Sequence, residues 1–248
     1  MANPTTGLLK TRVVTATLVV DNVSLDARSE IRLVTCLFVD VVGSTDATIR
    51  LGPERMQRLL GQAFKELSGI IAAHGGVVEK YIGDAILALF GVPISRVDDA
   101  ERALRAAEAC LRWSAAPASS GGLSVRAGLE TRELLVDLDA LETRQRMVVG
   151  EGINLAARLQ QYAEPGQVVV GPTGHDATVD AAEYEPLGTL PLKGLGDVEA
   201  WRFVGFRDVH GAFEVEFVGR DAELASLRDA VQRARQGRAI LALIVGPP

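Results

Sequence analysis

The sequence predicts the α/β class, in the form of an α+β sandwich: a mixed β-sheet with helices packed on it. Three observations lead there. Short apolar runs with strand character, such as LVTCLFV and AILALF, alternate with longer stretches of helical periodicity. Gly-centred turns separate them, and 248 residues with 48% apolar content suffice for one large core and a small appendage. Strands interleaved with helices give layers of both kinds rather than a bundle or an all-β barrel.

Residues 1–30 contain one short apolar patch, Val13 to Val20, and read either as a flexible lead or as an added edge strand. Leu33 to Val39 is a buried strand, and Gly43, Ser44 and Thr45 close a turn that opens a helix. A long helix is expected from Pro53 to Ala73. Met56, Leu59, Leu60, Ala63, Leu67, Ile70 and Ile71 recur at helical spacing, Pro53 suits the first turn, and Gly75-Gly76 ends it. Val77 to Tyr81 and Ala85 to Phe90 form a hairpin through Ile82, Gly83 and Asp84. A second helix covers Val97 to Ala115, with Ala100, Ala103, Leu104, Ala107 and Leu111 on one stripe, and Pro117 to Gly122 reads as a loop. Strands follow at Leu123 to Gly128, Leu134 to Leu138 and Arg146 to Val149. A helix then carries Asn154 and Arg158, and strands at Val168 to Gly171, Tyr184 to Leu190 and Val198 to Phe206 complete the sheet. Residues 217–248 read as a helix with Leu224, Leu227 and Val231 on one face, then an apolar strand from Ala239 to Val245.

Asp40, in LFVDVVGST, and Asp84, in EKYIGDAILALF, each stand where a strand breaks off. Either alone reads as a helix cap or a turn residue. Together they make a cradle for a divalent metal carrying a nucleotide triphosphate. The Gly43-Ser44-Thr45 turn leaves backbone N–H groups aimed outward at the start of a helix, which suits a phosphate. In VVGEGINLAARLQ, Asn154 and Arg158 are spaced i, i+4 and share a helical face. An amide and a guanidinium projecting together can hold a ribose oxygen and a phosphoryl oxygen, although such a pair is also an ordinary solvated face.

These motifs, with AEPGQVVVG (residues 163–171) and LPLKGL (residues 190–195), occur in the order of the class III nucleotidyl cyclases, and residues 32–206 resemble that catalytic domain. The resemblance implies a ferredoxin-like core and the conversion of ATP, or GTP, to a 3′,5′-cyclic nucleotide and pyrophosphate. It implies Asp40 and Asp84 as ligands of two Mg²⁺ or Mn²⁺ ions per site, Lys80 at the adenine, Asn154 at the ribose and Arg158 at the transition state. It further implies a head-to-tail homodimer, with the acids and Lys80 of each site from one subunit and Asn154 and Arg158 from the other. The expected domains are a lead segment (1–30), the cyclase domain (31–207), and a linker with the start of a STAND/AAA-type ATPase domain (208–248). That last segment lacks the Gly-Lys-Ser/Thr of a phosphate loop, so no ATPase activity is expected from it; the plainer reading is a helical appendage.

The chain departs from the family at several positions. The second base-reading position, usually Asp or Thr, is Met147, whose thioether is at best a weak acceptor. A hairpin usually reading His-Thr-Gly-Glu after its first Gly runs here from Gly128 through Leu129, Glu130, Thr131 and Arg132 to Glu133. Asp137 and Ala140 also stand where the family tends to have Gly, so altered geometry is expected in this dimer-forming arm. The Gly-Asp before the ribose helix is Gly150-Glu151, which keeps an acid in the first turn.

A net charge of −6 argues against a nucleic-acid surface, and no apolar run approaches the ~20 residues of a membrane helix. With no signal-peptide pattern, a cytoplasmic location is expected. Cys36 and Cys110 read as reduced core thiols. His74, His175 and His210 read as exposed loop residues without a catalytic part, and Trp113 and Trp201 as packing residues. A working cyclase is the preferred reading, ahead of a regulatory cyclase-homology domain with little or no turnover. A diguanylate-cyclase or polymerase-palm relative ranks last, because Ile82-Gly83-Asp84-Ala85 lacks the paired acids of the diguanylate-cyclase hairpin.

Overall fold

The structure, a computed structural model, describes residues 12–16, 29–137, 148–207, 221–235 and 241–245. Contacts divide the chain into two compact units, one of residues 27–209 and one of residues 1–26 with 210–248. In chain order the elements are β1 (Arg12–Ala16), β2 (Ser29–Val42), α1 (Ser44–Leu51), α2 (Pro53–Ala73), β3 (Val77–Ile82), β4 (Ala85–Phe90), α3 (Asp99–Ser114) and α4 (Pro117–Ser120). They continue with β5 (Ser124–Asp137), β6 (Val148–Val149), α5 (Glu151–Tyr162), β7 (Val168–Val170), α6 (Pro172–Asp176), β8 (Ala182–Leu192), β9 (Gly196–Phe206), α7 (Asp221–Arg235) and β10 (Leu241–Val245).

The larger unit is built on an eight-stranded sheet of order β3-β4-β2-β5-β7-β9-β8, with β6 beside β5. Among the described strands only β5 and β7 pair in parallel, so the sheet is mixed. Strand alternation divides β2 between two cores. Leu37, Val39 and Val41 join Leu67, Ile71, Leu104 and Cys110 under α2 and α3, whereas Val34, Cys36 and Phe38 join Leu87, Leu134 and Ala156 under α5. Helix α2 begins with Pro53 in its first turn and buries Met56, Ala63, Leu67 and Ile71, as its periodicity predicts. Leu67 and Ile71 are fully buried, worth about 2 kcal/mol each. Gly75, at φ 81°, stops the helix. In the smaller unit β1 pairs antiparallel with β10, Arg12 opposite Val245, so the amino-terminal strand does not extend the large sheet. No described helix is long and apolar enough to cross a membrane.

Four expectations are corrected. The break expected between Gly128 and Leu134 is absent. Residues 124–137 form one 14-residue strand paired with β2 along its whole length, from Ser29 opposite Asp137 to Val42 opposite Ser124. Gly128 is not a turn glycine: a Cβ there would meet Ala156 O and Gln160 N at 2.3 Å, so it is the point where α5 lies directly on the strand. Arg132 therefore sits in extended backbone without strain, and Ala140 and Met147 lie outside the described residues. Second, the loop expected after α3 contains the helical turn α4, started by Pro117.

Third, α6 was unanticipated; Pro172 opens it, and the buried Glu130 accepts from Gly174 N at 3.4 Å. Fourth, the described histidines are half-buried rather than exposed. His175 stacks on Trp201 with centroids 4.1 Å apart and meets Tyr184 edge-on, and His74 Nδ1 lies 2.8 Å from Ile70 O at the end of α2. His210 lies outside the described residues. Cys36 and Cys110 are buried free thiols, both pushed up to about 12 by desolvation, as expected of inert core cysteines. Trp113 is partly packed and donates to Glu66 Oε2 at 2.6 Å.

Gly128→Ala is expected to destabilise the domain by about 3 kcal/mol, because the atoms in the way are backbone and cannot rotate aside. Thermal unfolding should report a Tm lower by roughly 5 °C or more, and an unchanged Tm would mean that α5 is free to lift from β5.

Candidate active site

Asp40 lies near the end of β2, where the strand leaves the apolar core, and opposes Ala85, the first residue of β4. Asp84 immediately precedes that residue in the β3–β4 turn, where Gly83 takes φ 62°. The backbone N–H of Val41 donates to Asp84 O at 3.1 Å, which stitches the turn to the end of β2 and brings the two acids side by side. Gly43, left-handed at φ 74°, turns the chain into α1, whose first N–H groups have no side-chain cap. Ser44 Oγ donates to Asp84 Oδ2 in a short hydrogen bond. The side chain of Thr45 is not among the described atoms, although its backbone lies in the first turn of α1.

These groups surround a cleft of about 280 Å³ lined by Asp40, Val41, Val42, Gly43, Ser44, Asp84 and Arg126. Arg126 was not singled out in the sequence. It stands opposite Asp40 in the β2–β5 register, and its Nε donates to Asp40 Oδ2 at 2.9 Å. Its Nη1 reaches Gln161 O at 3.4 Å and Ala163 O at 3.3 Å, at the end of α5. Gln160, also unanticipated, donates from Nε2 to the same Asp40 oxygen at 2.8 Å. Burial pushes the Asp40 carboxyl above the ordinary carboxylate range. Arg126's hydrogen bond pulls it back, and the neighbouring charge of Asp84 raises it further. Two carboxylates side by side in a partly buried cleft are a natural place for a cation.

Lys80 sits on β3 opposite Leu87, which in turn opposes Phe38, two residues before Asp40. Directly opposed residues share a face, so Lys80 and Asp40 lie on the same side of the sheet, the side covered by α5. Lys80 is half-exposed, with Nζ 3.5 Å from Glu79 Oε1.

Asn154 and Arg158 do not join this cluster. Helix α5 buries Leu155, Ala156, Leu159 and Gln160 against the sheet, while Asn154 is exposed and Arg158 half-exposed, its Nη1 on Gln161 Oε1 at 3.0 Å. At about 100° per residue, Arg158 stands roughly opposite Gln160 around the helix. It therefore points away from its own chain's Asp40. A larger cavity, about 540 Å³, is lined by Arg132, Glu133, Glu151 and Leu195 among others and holds none of the expected site residues.

Among the described residues no group of three or more His, Cys, Asp or Glu side chains gathers into a metal cage. The donor set is two carboxylates, and its hard oxygen chemistry fits Mg²⁺ or Mn²⁺ arriving with substrate phosphates rather than a self-contained protein site.

The architecture matches solved cyclase structures. It aligns with the adenylyl cyclase CyaB from P. aeruginosa at TM-score 0.67 and 24% identity, covering 73% of this chain and 98% of that one. It aligns with the guanylyl cyclase Cya2 at TM-score 0.66 and 30% identity, covering 74% and 97%. Among curated proteins, adenylate cyclase 1 of Rhizobium meliloti is 28% identical over 170 residues, 65% of this chain and 26% of that protein. The chain spans about a quarter of the length of the curated relatives it matches, 22 to 28% in the first of them. Residues 27–205 match the model of the adenylate and guanylate cyclase catalytic domain, leaving the carboxy-terminal segment outside the match. With its mixed sheet, its paired acids beside the β3–β4 turn and this match over most of its length, the chain belongs to the adenylate and guanylate cyclase catalytic domain family.

Proposed function

We propose that this domain converts ATP to 3′,5′-cyclic AMP and pyrophosphate, at sites completed by a second copy of the chain. The observation that carries the reading is the convergence of Asp40 and Asp84 in one cleft beside the uncapped start of α1. Asp40 and Asp84 would hold two Mg²⁺ or Mn²⁺ ions. When bound, those ions supply charge neutralisation at the phosphates and lower the pKa of the attacking ribose 3′-hydroxyl. Ser44 holds Asp84 in place, and the N–H groups of Gly43, Ser44 and Thr45 offer donors to a phosphate oxygen. Arg126 lines the same cleft and brings a fork-shaped cation to the triphosphate. Lys80, on the same sheet face, contacts the base. Asn154 orients the ribose and Arg158 meets the charge that grows on the transferred phosphate, both reaching from the partner subunit because they face away from their own sheet. We place this chemistry in the cytoplasm, as part of intracellular signalling. The ATPase-like reading of residues 217–248 rests on its helix-then-strand order alone.

The deciding experiment measures cyclic AMP and cyclic GMP formed by the purified protein from ATP and from GTP, with Mg²⁺ and with Mn²⁺. Metal-dependent product from ATP is expected. Product from neither nucleotide would favour the second reading, a regulatory cyclase-homology domain. That reading has its own support in the ion pair by which Arg126 occupies Asp40.

Base choice follows from Lys80 and position 147. A lysine donates equally well to a ring nitrogen or a carbonyl, so alone it separates adenine from guanine poorly. With methionine at 147 a weak ATP preference is expected, and Met147→Asp or Met147→Thr should raise the ATP-to-GTP ratio of kcat/KM. The gain is one specific hydrogen bond, about 1 kcal/mol and up to about 3 if a buried group would otherwise go unpaired. Thousandfold discrimination by the unaltered protein would show that the base is read elsewhere.

A further inference from the structure

Gln160 stands where the pattern of α5 calls for an apolar residue. Ala156 and Leu159 precede it on the sheet side of the helix, and it is only 6% exposed. A buried amide costs about 1 to 3 kcal/mol if its donors are left unpaired, so its partner matters. That partner is Asp40 Oδ2, 2.8 Å from Gln160 Nε2, across 120 residues of sequence. The geometry is firmly held. Gly128 lets α5 approach so closely that Gln160 N lies 2.3 Å from where a Cβ at position 128 would be. Arg126 Nε reaches the same Oδ2 at 2.9 Å, so both donors converge on one oxygen and neither is spent on Oδ1.

From this convergence we infer that Gln160 is a positioning residue for the metal carboxylate, an inference that rests on the metal role proposed above for Asp40. Its amide pins Oδ2, fixes the rotation of the carboxylate and presents Oδ1 to the cation as a single, pre-oriented ligand. Arg126 cannot do this alone. Its guanidinium is partly exposed and would be drawn towards incoming phosphates, whereas Gln160 is buried and neutral and stays with Asp40 throughout. The bond also fastens the last turn of α5, the helix that carries Asn154 and Arg158, to β2 of the same chain. Groups that orient a metal ligand from behind typically contribute 10- to 100-fold in metal affinity. With Arg126 still in place, the lower end of that range is expected.

The test is a Mn²⁺ titration of the protein with a fixed amount of 3′-deoxy-ATP, which lacks the attacking hydroxyl and cannot cyclise, reading the free ion by electron paramagnetic resonance against the same titration of the nucleotide alone. Gln160→Met keeps length and packing but removes the donor, and Gln160→Ala is the second variant, with good helix propensity. Both are expected to bind Mn²⁺ about tenfold more weakly than the unaltered protein with Tm shifted by only a few degrees. In turnover the Mn²⁺ concentration for half-maximal rate should rise, with kcat at saturating Mn²⁺ changed much less. Asp40→Ala separates the two layers of the argument. If it binds Mn²⁺ as well as the unaltered protein, the metal assignment fails and this inference fails with it. If it loses binding while a folded Gln160→Met or Gln160→Ala protein titrates like the unaltered one, the metal assignment stands and the role of Gln160 is overturned.

Discussion

Asp40→Ala and Asp84→Ala are each expected to lower cyclic nucleotide formation by roughly 10² or more, the usual cost of removing a positioned group that stabilises developing charge. The two differ in what else they disturb. Asp84 is half-exposed in a turn and bonded to Ser44, so its loss should leave Tm nearly unchanged. Asp40 is buried beneath Arg126 and Gln160, and its truncation leaves two donors without an acceptor, a cost of about 1 to 3 kcal/mol. Asp40→Asn retains an oxygen for those donors and should recover most of the stability but little of the activity. Turnover close to that of the unaltered protein in any of the three variants would sink the assignment of the acids as metal ligands.

The parts of this site legible in the sequence are those fixed by neighbours along the chain. Asp40 and Asp84 are visible because Asp40 interrupts an apolar run shortly before Gly43 and Asp84 directly follows Gly83 at the head of another, and a short hairpin leaves little choice of register. Helix α2 is equally plain, since its buried positions repeat at helical spacing between a proline and a glycine pair. Arg126 and Gln160 are not visible in this way, because they meet Asp40 through the β2–β5 register and the seating of α5, across 86 and 120 residues. A signal did exist. Arg126 is a lone charge between Val125 and Ala127, both fully buried, and Gln160 follows a buried leucine and falls four residues after the buried Ala156, on the apolar side of its helix. A polar residue in an apolar pattern asks for a partner, and the partner was the acid already singled out.

Gly128 shows the opposite failure. Glycine serves turns and close approaches alike, and only the helix lying on it reveals which. The half-burial of His175 has the same origin, since its stacking partner Trp201 comes from a strand 26 residues further on.

Mixing Asp40→Ala protein with Arg158→Ala protein, each inactive alone, is expected to restore up to roughly a quarter of the unaltered activity. With free subunit exchange half of the dimers are mixed, and in a head-to-tail dimer one of their two sites is intact. In that site one chain supplies Asp40 and the other supplies Arg158. The placement of α5 motivates the experiment. Gln160 faces the sheet and holds its own chain's Asp40, and Arg158 lies about 200° further round the helix, facing outward. A helix held to β2 on one side cannot rotate to bring Arg158 onto the same carboxylate without breaking the buried Gln160 bond and lifting from Gly128, which is why we propose that Arg158 reaches a second chain. If each chain instead built its own site, every mixed dimer would contain one site without Asp40 and one without Arg158. Activity would then stay at the level of the single variants. Absence of recovery, with subunit exchange shown independently by labelled protein, would rule out the shared site and require α5 to move in the working enzyme.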